Sequence, residues 1–306
     1  MKLLFLRKIL LFSIPIFFLT IAIIVTDPFD YLNYKVKINI DRIHTVRRLN
    51  VADWAISEVS KIKINTKKQI TTASIGDSRG RLLLSDGFEK GWKGRITGGN
   101  KKHYDLSFGG AQLNESISLL TQELKYLDSL DEIIITLPID RILTYNKFSD
   151  RVKNSQFNSP FPILNYLLNY KQLKYLFYTN IGEGKSLKKL SEQEKVKNQF
   201  LDHYKISVTK FDKNLLDIKQ SMSALIKNYN IIIIIPPYEL FFYNELIDNH
   251  KKKYNYFLNK LNNSFKNDSI KIINFQDFEE DFNFIDPVHG FLKIHEIYNF
   301  IKNKVK

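Results

Sequence analysis

The sequence predicts an α/β protein, a five-stranded, mostly parallel sheet between two helical layers, preceded by one N-terminal transmembrane helix. Three observations predict it. Five short β-branched or apolar runs recur along the chain, and "EIIITLP" and "NIIIIIPP" have the unbroken apolar character of strands buried on both faces. Helical patterns separate these runs, and strand–helix alternation is the pattern of a parallel sheet. Residues 9–26, "ILLFSIPIFFLTIAIIVT", carry no charge.

That uncharged run, extended by "LLFLRK" on its N-terminal side, has the roughly 20 apolar residues needed to cross the hydrocarbon. Pro15 is tolerated in a membrane helix. A cleaved signal peptide would need a small-x-small site, and none precedes Asp27-Pro28, so the segment reads as a signal anchor. Lys2, Arg7 and Lys8 place the short tail in the cytoplasm. Lys35, Lys37, Arg42, Arg47 and Arg48 on the other side oppose this, tempered by Asp27, Asp30 and Asp41. The expectation is a single-pass protein of the inner or plasma membrane, its body extracytoplasmic (periplasmic). Residues 1–26 form the tail and anchor, 27–67 a juxtamembrane connector with an amphipathic helix around "VADWAISEVSKI", and 68–306 the α/β domain. A Tyr-, Phe-, Asn- and Lys-rich helical insertion interrupts that domain at about 141–195.

Composition removes several function classes. With 44% hydrophobic and 13% aromatic residues, the 306-residue chain is not globally disordered. Its net charge of +14 comes from lysines scattered among Ile and Asn, without an Arg-rich stripe or aromatic platform, which argues against nucleic-acid binding. The absence of cysteine removes disulfides, thiolate catalysis and Cys-ligated zinc, and no His-Glu-x-x-His occurs. No metal or cofactor is expected. "TNIGEGKS" at 179–186 has Thr179 where a phosphate loop needs its first glycine, and no apolar strand precedes it.

Along the body, "QITTASIG" is the first strand and "SRGRLLLSDGF" begins a helix directly after it. "KHYDLSF" is a second strand, ending at Gly109-Gly110, and a helix follows with Leu113, Ile117, Leu120, Leu124 and Leu127 on one side. "EIIITLP" is the third strand. A long helical region around 196–228 leads to the fourth, "NIIIIIPP"; "LFFYNELIDNHKKKYNYFLNKLNNSF" is helical, and "IKIINF" is the fifth strand. The chain closes with "IDPVHG" as a loop into a terminal helix, "FLKIHEIYNFIKNKV".

In such sheets ligands bind beyond the carboxyl ends of the strands, where every chemical motif of this chain falls. Gly76-Asp77-Ser78-Arg79-Gly80 follows strand one, its glycines allowing a sharp turn and close backbone approach. Ser78 is either a nucleophile or a helix N-cap. Asp286-Pro287-Val288-His289 sets a carboxylate three residues before an imidazole, able to hold one ring nitrogen and leave the other for Ser78. The other histidines, His44, His103, His203, His250 and His295, have no comparable carboxylate after a strand; the Asp202–His203 pair reads as solvated. The amides of Gly109 and Gly110, with that of Ser78, are candidates for an oxyanion hole.

With "IGDSR", "DLSFGG" and "DPVH" in this order, residues 68–306 resemble the SGNH (GDSL-type) hydrolase superfamily. The α/β-hydrolases fit less well, because their elbow serine follows several strands and their Asp and His come from separate loops. The resemblance implies a flavodoxin-like sheet, Ser78 as nucleophile, Asp286 and His289 completing a triad, and Gly110 as an oxyanion donor. The family's third block, Gly-x-Asn-Asp, is replaced by "LPIDR": Asp140 holds the Asp place without an Asn before it, leaving Asn114 or Asn146 as alternative side-chain donors. Arg79 pairs either with an acidic sugar or with a neighbouring carboxylate; it joins Asp140 and Asn146 as a candidate substrate contact. The anchor and insertion make the chain most similar to family members that add or remove acyl groups, acetyl above all, on cell-envelope polysaccharides. The implied partners are such a glycan or another acylated substrate, the membrane, and a membrane acyl-donor protein. The alternative is a catalytically degenerate scaffold or glycan-binding protein on the same fold.

Overall fold

A computed structural model describes residues 2–26, 51–84, 95–97, 103–155, 190–266 and 270–292, and single positions 157, 161, 163, 164, 167, 300, 301 and 303. The chain divides into two compact units, Met1–Lys61 with Arg151–Ser186, and Ile62–Asp150 with Leu187–Lys306. Most of the insertion, residues 27–50 of the connector and the 179–186 motif lie outside the described residues.

In the first unit, helix α1 (Lys2–Thr26) contains a window, Arg7–Ile24, with a mean hydropathy of 2.1 and only 6% of it buried, unlike a core helix. At 1.5 Å per residue its 18 residues span about 27 Å, long and apolar enough to cross a membrane. Ser13 and Thr20 hydroxyls donate to the carbonyls of Ile9 and Ile16 (2.8 and 2.9 Å), so neither is left unpaired in an apolar surrounding. Helix α2 (Val51–Ser60) stands where an amphipathic helix was expected, but Ala52 to Ser57 are all buried, so its burial is not one-sided; Asp53 accepts a hydrogen bond from Ser155 Oγ.

The second unit contains helix α3 (Ile64–Lys67) and is built on a sheet whose strands are β1 (Thr72–Ile75), β2 (Ile96–Thr97), β3 (His103–Asp105), β4 (Glu132–Thr136), β5 (Asn230–Ile235) and β6 (Lys271–Asn274). The spatial order is β2-β3-β1-β4-β5-β6. All five expected strands are present and mutually parallel, with Ala73 opposite Tyr104 and Ile133, Ile133 opposite Ile231, and Ile233 opposite Ile272. Counting the five alone, the order is second, first, third, fourth, fifth, that of flavodoxin-like sheets. The two-residue β2 adds an antiparallel edge on β3 that has no pattern in the sequence.

Helices α4 (Ser78–Leu84), α5 (Leu113–Glu123), α6 (Ile139–Leu143), α7 (Leu190–His203), α8 (Val208–Asn228) and α9 (Leu240–Phe265) complete the unit. The helical region expected around 196–228 is two helices, α7 and α8. The break has a local cause, since Ser207 is extended and its hydroxyl accepts from Lys210 N (3.3 Å), capping α8. Helix α9 buries Phe242, Leu246, Tyr254, Phe257, Leu261 and Phe265, a stripe at helical spacing.

The end of the chain differs most from expectation. "IDPVHG" is not a loop into a helix but the tip of a hairpin, β7 (Phe282–Asp286) and β8 (His289–Leu292), so Phe291 and Leu292 belong to a strand. The period-2 placement of Phe282 and Phe284 gives β7 an aromatic face that packs on Ile134, Ile232, Ile234, Ile273 and Phe275. That burial seats the hairpin over the sheet. Helix resumes among the described residues at Phe300 and Ile301.

Candidate active site

The chain order of the parallel strands reverses beside β1, and Ser78 stands directly after that strand. The two flanking glycines have a steric reason. A Cβ on Gly76, at φ +154°, would lie 2.9 Å from Thr136 Cβ, and one on Gly80 would lie 2.7 Å from Thr136 Oγ1 and 3.0 Å from Ser107 Oγ. Both glycines therefore let the turn press onto β4. Gly76→Ala should destabilise the protein by about 2–5 kcal/mol, strain and overpacking together, measured by chemical denaturation; a loss below about 1 kcal/mol would contradict this packing.

Asp77 is the helix cap. Its Oδ1 accepts from Arg79 N (2.9 Å), and its carbonyl accepts from Arg81 N (3.2 Å). Ser78, at the first helical position, is thereby released from capping. Between Thr72 and Arg81 every residue but Ser78 is buried.

Its hydroxyl meets the hairpin. Ser78 Oγ lies 2.8 Å from His289 Nε2, and His289 Nδ1 lies 2.9 and 2.8 Å from the two oxygens of Asp286. An ionised carboxylate only accepts, so Nδ1 carries the proton and Nε2 offers its lone pair to the serine hydroxyl. Asp286 Oδ1 also accepts from Val288 N (3.0 Å) and His289 N (3.1 Å), so one carboxylate shapes the hairpin tip and fixes the imidazole. The three residues meet across 211 positions of sequence, with side-chain exposures of 26% for His289 and 11% for Asp286, open enough for a substrate to reach the ring.

The candidate oxyanion donors are placed by the β1–β3 ladder. It continues past the strands, with Leu106 N donating to Ser74 O (2.8 Å) and Phe108 N to Gly76 O (3.1 Å), which sets Gly109 and Gly110 beside the Ser78 turn. Gly110 is exposed at φ +64°, and a Cβ there would meet nothing within 4 Å. The Ser78 amide is at the first helical position, among those an α-helix leaves without an intrahelical partner. The side-chain alternatives are placed differently. Asn114 Nδ2 donates to the carbonyls of Ser149 and Lys147. Asn146 is exposed and its Oδ1 caps its own turn, accepting from Phe148 N (3.1 Å). Ile139, before Asp140, is wholly buried.

Arg79 and Asp140, candidate substrate contacts by sequence, are instead buried against each other. Arg79 Nη1 and Nη2 donate to Asp140 Oδ1 and Oδ2 (2.6 and 3.0 Å), while Nη2 and Nε donate to Asp77 Oδ2 (2.7 and 3.1 Å). Both residues are 1% exposed, which removes them from substrate contact. Burial opposes charge on Asp77 and Asp140, but the guanidinium of Arg79, joined by that of Arg141, overrides it and holds both carboxyls below the usual range. Tyr238 Oη donates to Asp140 Oδ1 (2.9 Å), and burial keeps this phenol protonated by raising its pKa well above the ordinary value. The next residue, Glu239, donates its amide to Pro287 O (3.0 Å). A continuous strut thus runs from the turn bearing Ser78 through Arg79, Asp140 and Tyr238 to the hairpin bearing His289.

A second Ser–His–Asp set lies under the turn and was missed in the sequence. His103, without a comparable carboxylate by sequence, approaches Ser74 Oγ at 3.0 Å, and Ser74 donates to Asp105 Oδ1 (3.0 Å). His103 and Asp105 sit two apart on one face of β3, a detectable signal. All three are buried, at 0–5% exposure, so they hold β1 to β3 and have no route to a substrate. Among the described residues no group of three or more His, Asp or Glu could hold a metal ion. No protein-family model, curated protein or solved structure matches this chain.

Proposed function

We propose that the chain is a serine esterase or O-acyltransferase, working through an acyl-Ser78 on acyl esters, acetyl above all, of a cell-envelope polysaccharide. The observation that carries this reading is the Asp286–His289–Ser78 relay, whose two contacts are both within 2.9 Å. His289 Nε2 takes the Ser78 proton as Oγ attacks the ester carbonyl. In this reading the amides of Ser78, Gly109 and Gly110 receive the resulting oxyanion; one such donor is worth about 2.7–4 kcal/mol. Collapse breaks the C–O bond to the leaving alcohol, which receives the proton back from His289. Water or a sugar hydroxyl, deprotonated by the same nitrogen, then attacks the acyl-serine; the acyl–Oγ bond breaks and His289 returns the proton to Ser78. Asp286 keeps the imidazole in the working tautomer and stabilises the imidazolium.

In this reading the apolar helix α1 anchors the body on the extracytoplasmic side, near an envelope glycan and a membrane acyl donor. The resemblance to SGNH hydrolases in "IGDSR", "DLSFGG" and "DPVH" supports the same chemistry. The replaced third block supports the rival, a non-catalytic glycan-binding protein, because Ile139 and the ion-paired Asp140 supply no amide donor. Release of p-nitrophenol from p-nitrophenyl acetate by the full chain in detergent separates the two. Turnover that disappears in Ser78→Ala is expected, and no turnover above buffer would favour the rival.

A further inference from the structure

The arginine that faces outward beside Ser78 is Arg141, not Arg79. Its Nε donates to Asp77 Oδ2 (2.9 Å), which pins the side chain against the residue immediately before the serine. The side chain is 28% exposed, and among the described residues its Nη1 and Nη2 groups make no hydrogen bond. Two good donors are thus held in a fixed fork, the arrangement that recognises a carboxylate or phosphate in two-point fashion. Arg79 cannot serve this purpose, because Asp77 and Asp140 take its guanidinium below the surface.

A second element borders Arg79, which shares Asp77 with this cation. Phe200 and His203 lie three apart on α7, one helical face, with their rings 5.5 Å between centroids. The Phe200 ring stands 5.7 Å from the Arg79 guanidinium carbon. His203 has a buried Nδ1 that no group bonds among the described residues. Burial lowers its pKa, opposed by Asp140 and reinforced by the positive Arg141 and Arg79, which favours the neutral ring. A partly exposed guanidinium fork, with an aromatic ring and an imidazole on the adjoining helix, is suited to an acidic sugar through the fork and its anion.

The geometry points to Arg141, held by Asp77 next to the serine, as a binding subsite for an anionic group, carboxylate or phosphate, on the glycan presented to Ser78. This deepens, and rests on, the reading of Ser78 as the acyl-carrying residue. It makes the substrate an acidic polymer, not a neutral one.

The test is calorimetric titration of the full chain in detergent with an oligogalacturonate, a glycerol-phosphate oligomer and a neutral cello-oligosaccharide of similar length. At least one anionic ligand should bind about 10-fold or more tightly than the neutral one, and the better of the two identifies carboxylate or phosphate. Arg141→Gln should erase that preference and Arg141→Lys should retain part of it; His203→Ala, which leaves the Asp77 contact intact, should weaken anion binding several-fold. Equal affinity for neutral and anionic ligands in the unaltered protein would overturn the subsite. So would a charge preference that survives Arg141→Gln in a folded protein, because the scattered lysines behind the +14 charge would then be responsible. Labelling of Ser78 by a fluorophosphonate, run on the same samples, reads the acyl-serine proposal separately. Labelling without Arg141-dependent binding removes the subsite alone, and Arg141-dependent binding without labelling removes the catalytic reading alone.

Discussion

Asp286→Asn is expected to lower turnover of p-nitrophenyl acetate by about 10⁴-fold while the protein stays folded. The loss comes from the wrong tautomer. An asparagine can still accept the amides of Val288 and His289 through its carbonyl oxygen, so the hairpin tip keeps the bonds that Asp286 Oδ1 makes at 3.0 and 3.1 Å. Its amide nitrogen, however, donates. Facing His289 Nδ1, it favours the ring form with the proton on Nε2, and that nitrogen then points a hydrogen at Ser78 Oγ instead of a lone pair. The base is lost without loss of the imidazole. Initial rates beside a circular-dichroism melt check this; a variant within 10-fold of the parent would mean that Asp286 serves the hairpin and not the chemistry.

Arg79→Met is expected to destabilise the protein by about 3–5 kcal/mol, the usual effect of removing one partner from a buried ion network. Arg79 is the only cation bonded to both Asp77 and Asp140 among the described residues, and each carboxylate is at most 2% exposed. The pH dependence follows from their direction of shift. Both carboxyls are held below their ordinary value of about 3.9, so the stabilisation is full above that value and is lost as pH falls below it towards the folded values. Denaturant midpoints of parent and variant should therefore differ most near neutral pH and converge in acid. A double Arg79→Met, Asp140→Leu variant should recover part of the loss by removing one stranded charge. A single-variant loss below about 1 kcal/mol would mean that Arg141 alone satisfies Asp77.

The parts of this molecule that were legible in its sequence are those with local causes. The isoleucine runs of β4 and β5 could be little other than strands buried on both faces, and their spacing fixed five parallel strands. Ser78 was legible because it follows the first strand between two glycines, and Asp286 and His289 because they stand three positions apart. The hairpin carrying that pair was not read, although Phe282 and Phe284 alternate and Asp286-Pro287 marks a turn; helical spacing in the following residues obscured it. The contrasting fates of Arg79 and Arg141 had no local signal. Which arginine goes inside depends on contacts between Asp77, Asp140 and their partners across 61 and 64 residues, and neighbouring letters do not encode that.

The proposed chemistry depends on Ser78 being an activated nucleophile. Mass-spectrometric mapping of the full chain in detergent after reaction with a fluorophosphonate tests it most directly. A single adduct is expected on the peptide containing Ser78, formed in the parent protein and lost in His289→Ala. An adduct elsewhere, no adduct on a folded protein, or one on Ser78 that forms equally fast without His289 would contradict it.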